Sequence, residues 1–125
     1  MAQGLELIVG AKQDPQFGTV VVVGIGGTAV EIYHDVAIRM APVSPAEAIS
    51  AITSIRGRKL LEGYRGAKPV NREKLAELIV NFSQMAFALR DEITSIDLNP
   101  VLCNPEQAVI ADARFILPTV LSSIR

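Results

Sequence analysis

Asn99 and Asp112, two oxygen-bearing residues in the last third of the chain, have the types and spacing to hold a hard divalent cation. Ile93–Leu102 and Gln107–Leu117 both alternate polar with apolar residues and read as strands. In the first, Asp97 and Asn99 share one face and Ile96 and Leu98 the other; in the second, Asp112 and Arg114 oppose Ala111, Ala113 and Phe115. A turn through Cys103-Asn104-Pro105-Glu106 pairs the two strands antiparallel. The register read for this pair sets Asn99 across from Asp112 and Asp97 across from Arg114, with facing Cβ atoms about 5 Å apart. One amide and one carboxylate so placed are what Mg²⁺ accepts from protein when phosphates and waters fill its other positions. Pro100 has no amide donor and breaks the ladder beside Asn99, where a bulge would aim Asn99 into a cleft. The same pattern also suits a surface Asp–Arg pair with an Asn alongside.

A second constellation lies in Phe17–Pro42. The β-branched run Thr19–Val23 reads as a strand buried on both faces, broken at Gly24-Ile25-Gly26-Gly27, where glycines permit positive φ and close approach of a ligand. A strand from Val30 to about Met40 follows. Val30, Ile32, Val36, Ile38 and Met40 form its apolar face, and Glu31, Tyr33, Asp35 and Arg39 its charged one. A glycine loop beside a charged strand face forms one wall of an anion or nucleotide site; a hairpin with a solvated face fits the same residues. Arg58, Lys59, Arg65 and Lys68 lie in a Gly-punctuated connector, where they either face a phosphate or are simply solvated. The lone histidine, His34, falls on the apolar face and is expected in the core. Cys103 has no histidine near it in sequence and reads as an incidental thiol.

The elements that must position these residues follow from local signals. Leu5–Val9 is a strand, and Asp14-Pro15-Gln16-Phe17-Gly18 a turn, so the first three strands form an antiparallel meander. After Pro42 the period changes to 3.6. Ser44-Pro45-Ala46-Glu47 opens a helix with an N-cap, a proline at the first position and a capping box; Ala48, Ile49, Ile52 and Ile55 are its stripe and Gly57 its stop. Asn71 caps a second helix, stapled by Val70 and Leu75, with Leu75, Leu78, Ile79, Phe82, Met85, Ala86 and Leu89 facing the core.

Composition narrows the classes. At 125 residues, 50% hydrophobic and 20% charged, the chain is one globular domain with room for a real core. A net charge of −1 leaves no electrostatic footprint for nucleic acid. The longest uncharged apolar run falls short of the ~20 residues of a membrane span. Met1-Ala2-Gln3-Gly4 lacks the basic and apolar regions of a signal peptide, and one cysteine allows no internal disulfide; both fit a reducing cytoplasm.

A set of short motifs in order carries a resemblance. They are Gly4-Leu-Glu-Leu-Ile-Val-Gly10, Asp14-Pro15-Gln-Phe-Gly18, Gly24-Ile-Gly-Gly27, Val30-Glu-Ile-Tyr-His-Asp35, Arg39-Met-Ala-Pro42, Leu60-Leu-Glu-Gly-Tyr-Arg-Gly66, Ile96-Asp-Leu-Asn-Pro100 and Asp112-Ala-Arg114. Together they resemble the C-terminal half of the ATP-grasp domain of NDP-forming acyl-CoA synthetases, relatives of the succinyl-CoA synthetase β subunit. The resemblance implies an α+β fold: a mostly antiparallel five-stranded sheet with two main helices on one face. It implies the reaction acid + CoA + ATP giving acyl-CoA + ADP + phosphate, through an acyl phosphate and a phosphohistidine. It assigns Asn99 and Asp112 to Mg²⁺ and Glu31 to the neighbourhood of the phosphohistidine. Gly24, Gly26, Gly27 and Arg65 go to the phosphate side of bound ATP or ADP. It also implies partners: the nucleotide, the complementary ATP-grasp half, and the CoA-binding and phosphohistidine domains. The chain then reads as a fragment of a larger enzyme, inactive alone, whose open sheet face either meets the missing half or drives homo-oligomer formation. The alternative from another class is a non-catalytic synthetase-like module of a protein acetyltransferase. The choice of acid, and ATP against GTP, is not written in these residues.

Overall fold

The computed structural model of the chain describes residues 5–26, 35–56, 61–63 and 69–118. Strand β1 (Leu5–Asp14) turns back into β2 (Gly18–Ile25) over Pro15-Gln16-Phe17. The Asp14 carboxylate closes this turn by accepting the N–H groups of Gln16 and Phe17 at 2.8 and 3.0 Å, which also lowers its pKa below the ordinary carboxylate value. Gly18 follows at φ 79°, a left-handed conformation that favours glycine. Strand β3 (Val36–Met40) pairs antiparallel with β2, which completes the expected meander.

Helix α1 (Pro45–Ser54) begins as its sequence dictates. The Ser44 hydroxyl accepts the Glu47 N–H, and the Glu47 carboxylate accepts the Ser44 N–H, lowering the Glu47 pKa. Helix α2 (Arg72–Ala88) starts at Asn71, whose side chain accepts the Lys74 N–H, and the expected staple residues Val70 and Leu75 are both buried. The Asn71 N–H reaches the Asn104 carbonyl, which ties the start of α2 to the turn after β4 (Ser95–Cys103). Strands β5 (Ala108–Ile110) and β6 (Ala113–Ile116) both pair with β4, and the sheet order is β3-β2-β1-β4-β5. The sheet therefore has six strands where five were expected, because the last expected strand is split in two.

Both helices cover one face of the sheet. Leu7, Val9, Val21, Val23, Leu98 and Val101 pack with Ile52, Leu75, Ile79 and Phe82 in one core. Each such side chain contributes roughly 1.5–3 kcal/mol by leaving water. Among the described residues the opposite face carries no helix. Two expectations about packing are corrected. On β3 the covered side holds Asp35, Ala37 and Arg39, while Ile38 and Met40 are 58% and 59% exposed. The reason is register: Ala37 pairs with Val23 and Arg39 with Val21, both on the helix side. The polar residues there find partners on and just after α1, Asp35 at the Arg56 N–H and Arg39 at the Ser50 hydroxyl. On α2, Met85 is 37% exposed and lies at the rim of the core.

One buried hydroxyl joins the helix layer to the chain between β3 and α1. Ser83, fully buried, accepts the Val43 N–H at 2.9 Å and donates to the Val80 carbonyl. Ser83→Ala leaves the Val43 N–H buried without an acceptor and should cost about 1–3 kcal/mol in urea unfolding. Ser50→Ala, exposed, should stay within about 0.5 kcal/mol of the parent. Equal effects of the two substitutions would refute this account.

Candidate functional site

The candidate metal pair sits where the ladder between β1 and β4 changes register. Leu7 faces Val101 and Val9 faces Leu98, so the single residue Ile8 opposes both Asn99 and Pro100. This is a bulge, placed where the amide-less proline was expected to break pairing. On its other side β4 keeps an unbroken register: Asp97 faces Arg114, Leu98 faces Ala113 and Val101 faces Ile110. Asn99 consequently lies across from Asp112, and its N–H donates to the Asp112 carbonyl at 3.2 Å. The Ala111 N–H donates to Pro100 at 3.0 Å. Residues 111 and 112 are the gap between β5 and β6, so the irregularity at Asn99-Pro100 is mirrored on the neighbouring strand.

Both residues are exposed. One Asp112 carboxylate oxygen accepts the Ala113 N–H at 2.9 Å; the Asn99 side chain makes no hydrogen bond among the described residues. The donor set is one amide and one carboxylate, all oxygen, which suits a hard cation. No group of three or more His, Cys, Asp or Glu is arranged to hold a metal among the described residues. Asn99 and Asp112 together offer one amide and two carboxylate oxygens, and a cation bound to them would take the rest of its shell from other groups.

The glycine stretch is arranged differently from the expected loop. Gly24 is inside β2, paired with Ile8 on one side and Val36 on the other, and the strand runs on to Ile25. Gly26 donates its N–H to the Glu6 carbonyl at 2.8 Å, and a Cβ on it would sit 3.0 Å from that oxygen. Its bare Cα is needed for packing against β1. Gly24 nevertheless shares a row of the sheet with Ile8 and the Asn99-Pro100 bulge. Gly27, Glu31, His34 and Arg65 lie outside the described residues, as do Gly57, Arg58, Lys59 and Lys68.

The structure adds one residue that the motif reading missed. Gly10 faces Asp97, and a Cβ on it would lie 3.9 Å from the Asp97 carboxylate and 3.3 Å from the Ile96 carbonyl. The Asp97 side chain is therefore laid over β1 on the open face. A glycine inside a strand is the sequence signal for such a close approach. Lys12, exposed two residues along β1, adds a cation to that face.

An open sheet face bearing an oxygen pair, a second carboxylate and basic residues invites comparison with known folds. The ATP-grasp domain family matches residues 1–117. This chain belongs to the ATP-grasp family. It is 46% identical over 114 residues to the beta subunit of ADP-forming acetate–CoA ligase I from Pyrococcus furiosus, covering 91% of this chain and 49% of that one. It is 46% identical over 99 residues to ADP-forming 4-hydroxybutyrate–CoA ligase from Nitrosopumilus maritimus, covering 79% of this chain and 14% of that one. Among solved structures it matches the dinucleotide-forming acetyl-coenzyme A synthetase 1 of Ca. Korarchaeum cryptofilum. The form with coenzyme A and Mg-AMPPCP has a TM-score of 0.88 at 40% identity, covering 94% of this chain and 55% of that one. In that form the phosphohistidine segment points towards the nucleotide-binding site. The ATP-grasp chain described here spans about half the length of the beta subunit it matches.

In this ATP-grasp sheet Cys103 takes no part in the site. It is buried on the helix side, and loss of water around it pushes its pKa from 9.0 up to about 12. Folding therefore favours the neutral thiol, so this group's contribution to stability is whole below pH 9 and is lost as pH rises towards 12. At pH 8 a disulfide reagent should modify Cys103 in the folded chain at least about a hundredfold more slowly than in urea. Equal rates would show the thiol to be accessible.

Proposed function

We propose that this chain supplies one wall of the Mg²⁺–nucleotide site of an ADP-forming acid–CoA ligase. The observation that carries the reading is the register of β4, which sets Asn99 opposite Asp112 beside a bulge on the open face. Asn99 and Asp112 would hold Mg²⁺, and the bound ion would neutralise phosphate charge. Glu31 is proposed to meet the phosphohistidine, with Gly24, Gly26, Gly27 and Arg65 on the phosphate side of ATP or ADP. The reaction is acid + CoA + ATP giving acyl-CoA + ADP + phosphate, through an acyl phosphate and a phosphohistidine. Support comes from relatives named as ADP-forming ligases and from a structural neighbour that holds Mg-AMPPCP. Nothing among these relatives favours a regulatory module of an acetyltransferase.

The chain's own groups have limited tasks in this scheme. Backbone pairing holds Asn99 and Asp112 side by side, so their side chains start from neighbouring positions, and positioning of charge is what phosphoryl transfer demands of a protein. The open face takes the complementary half of the domain, with the CoA-binding and phosphohistidine domains as further partners. Relatives named for acetate and for 4-hydroxybutyrate match this region at the same 46% identity, so we assign choice of acid to other parts of the enzyme. No described helix is long and apolar enough to cross a membrane, and cytoplasmic residence is part of the proposal.

Two outcomes test the proposal. Mn²⁺·ADP binding, followed by electron paramagnetic resonance of the bound ion, should weaken about tenfold or more in both Asn99→Ala and Asp112→Asn. Unchanged binding in both variants would remove the metal assignment. The purified chain alone should release no ADP in the presence of acid, CoA and Mg-ATP; acid- and CoA-dependent release would show that the chain is catalytically self-sufficient.

A further inference from the structure

The outer side of the helix layer carries features that the proposed site does not use. Pro45 and Ile49 of α1 and Ala76 and Val80 of α2 floor a groove of about 330 Å³, with Glu73 and Glu77 on its rim. Ile49 remains 39% exposed there. The two glutamates are one turn apart on the same helix, where like charges repel, and no cation lines the groove with them among the described residues. Two turns beyond Val80 the same helical stripe reaches Phe87, 37% exposed. The Arg90 guanidinium lies 4.2 Å over the Phe87 ring and donates to the Phe87 carbonyl. One end of α2 thus presents an acidic, apolar groove, and the other an exposed aromatic ring topped by a cation.

These two ends are placed symmetrically. Phe87 and Ala76 lie equally far on either side of the midpoint between Asn81 and Phe82, and so do Arg90 and Glu73. A two-fold axis through that midpoint, with the α2 helices of two copies antiparallel, brings each Phe87 to the other copy's groove and each Arg90 to the other's Glu73 and Glu77. Matching of a surface to itself under a two-fold rotation is what an isologous dimer requires. We infer that the outer face of α1 and α2 is a homodimer surface, with Phe87 as the apolar anchor and Arg90 as the counter-charge to the acidic rim. Helix α2, at 17 residues, is about 25 Å long, and two helices side by side are roughly 20 Å wide. That is below the ~800 Å² per partner of a standard interface, so the dimer is weak and concentration-dependent.

Sedimentation of the 125-residue chain between about 10 μM and 1 mM tests the inference. The expected result is a reversible monomer–dimer equilibrium that weakens with salt. Arg90→Glu and Glu73→Arg should each lower the association constant about tenfold or more, and the double charge swap should restore it to within about threefold of the parent. Phe87→Ser should abolish association, while Ile38→Lys on the open sheet face should leave it unchanged. Circular dichroism confirms that each exposed substitution keeps the fold. A chain that is monomeric at 1 mM, a dimer indifferent to Arg90 and Phe87, or one lost on Ile38→Lys overturns the inference.

Discussion

Everything at the candidate site depends on a mismatch of phase between β1 and β4. The core requires odd-numbered residues of β1 to face the helices along its whole length, and Leu7, Val9 and Ala11 do so. In β4 the inward residues are Ile96 and Leu98, then Val101 and Cys103, a step of three between Leu98 and Val101. Without the extra residue the strand would turn Pro100 and Leu102 inward and put Val101 and Cys103 on the open side, since a one-residue slip reverses every side chain. The bulge resolves this by leaving both Asn99 and Pro100 outside the core. Burial of Val101 and outward presentation of Asn99 are therefore one event. The same phase change is passed on to the neighbouring strand, because its register with β4 runs unbroken past Ala111-Asp112 and keeps Asp112 opposite Asn99.

How legible this was depends on whether a feature is local. Helix starts at Ser44 and Asn71 and the turn at Asp14 rest on hydrogen bonds within a few residues, so residue types suffice to place them. The pairs Asn99–Asp112 and Asp97–Arg114 stand as expected, but the connection runs over 104–107 rather than 103–106, closed by Asn104 accepting the N–H groups of Glu106 and Gln107. The side of β3 that faces the core was not legible. Alternation defines two faces but does not say which one a helix will cover, and on the covered side Asp35 accepts the Arg56 N–H while Arg39 reaches the Ser50 hydroxyl. Hydrophobicity alone pointed the other way. Gly24 was misread for a related reason: a glycine in a strand looks like a break until the neighbouring strands, with Ile8 and Val36, are seen to carry the ladder past it.

The two faces of the layer sandwich bear different kinds of uncovered surface. The sheet face is polar at its centre, where Lys12, Asp97, Asn99, Asp112 and Arg114 gather, and apolar towards β3, where Ile38 and Met40 stand exposed. The helix face is the reverse, apolar along the groove and charged at its ends. A polar centre on a rigid, register-locked sheet suits a ligand rich in charge, and an apolar flank beside it suits a protein cover. The ATP-grasp assignment agrees with that division, as does a chain spanning about half of a matching subunit.

A wall of this kind also limits what chemistry the chain can contribute. Two exposed side chains cannot fully dehydrate a divalent ion, which keeps waters and binds chiefly through substrate phosphates when protein ligands are few. On the proposed assignment, the ion's affinity for Asn99 and Asp112 would be coupled to the nucleotide, and each would bind poorly without the other. Backbone pairing between Asn99 and Asp112 fixes their backbone separation before any ligand arrives, which leaves the two exposed side chains to be ordered on binding. Such a half-site is rigid but weak. Closure by a complementary surface, which excludes water and strengthens every charge interaction on the open face, is what would turn that rigidity into catalysis.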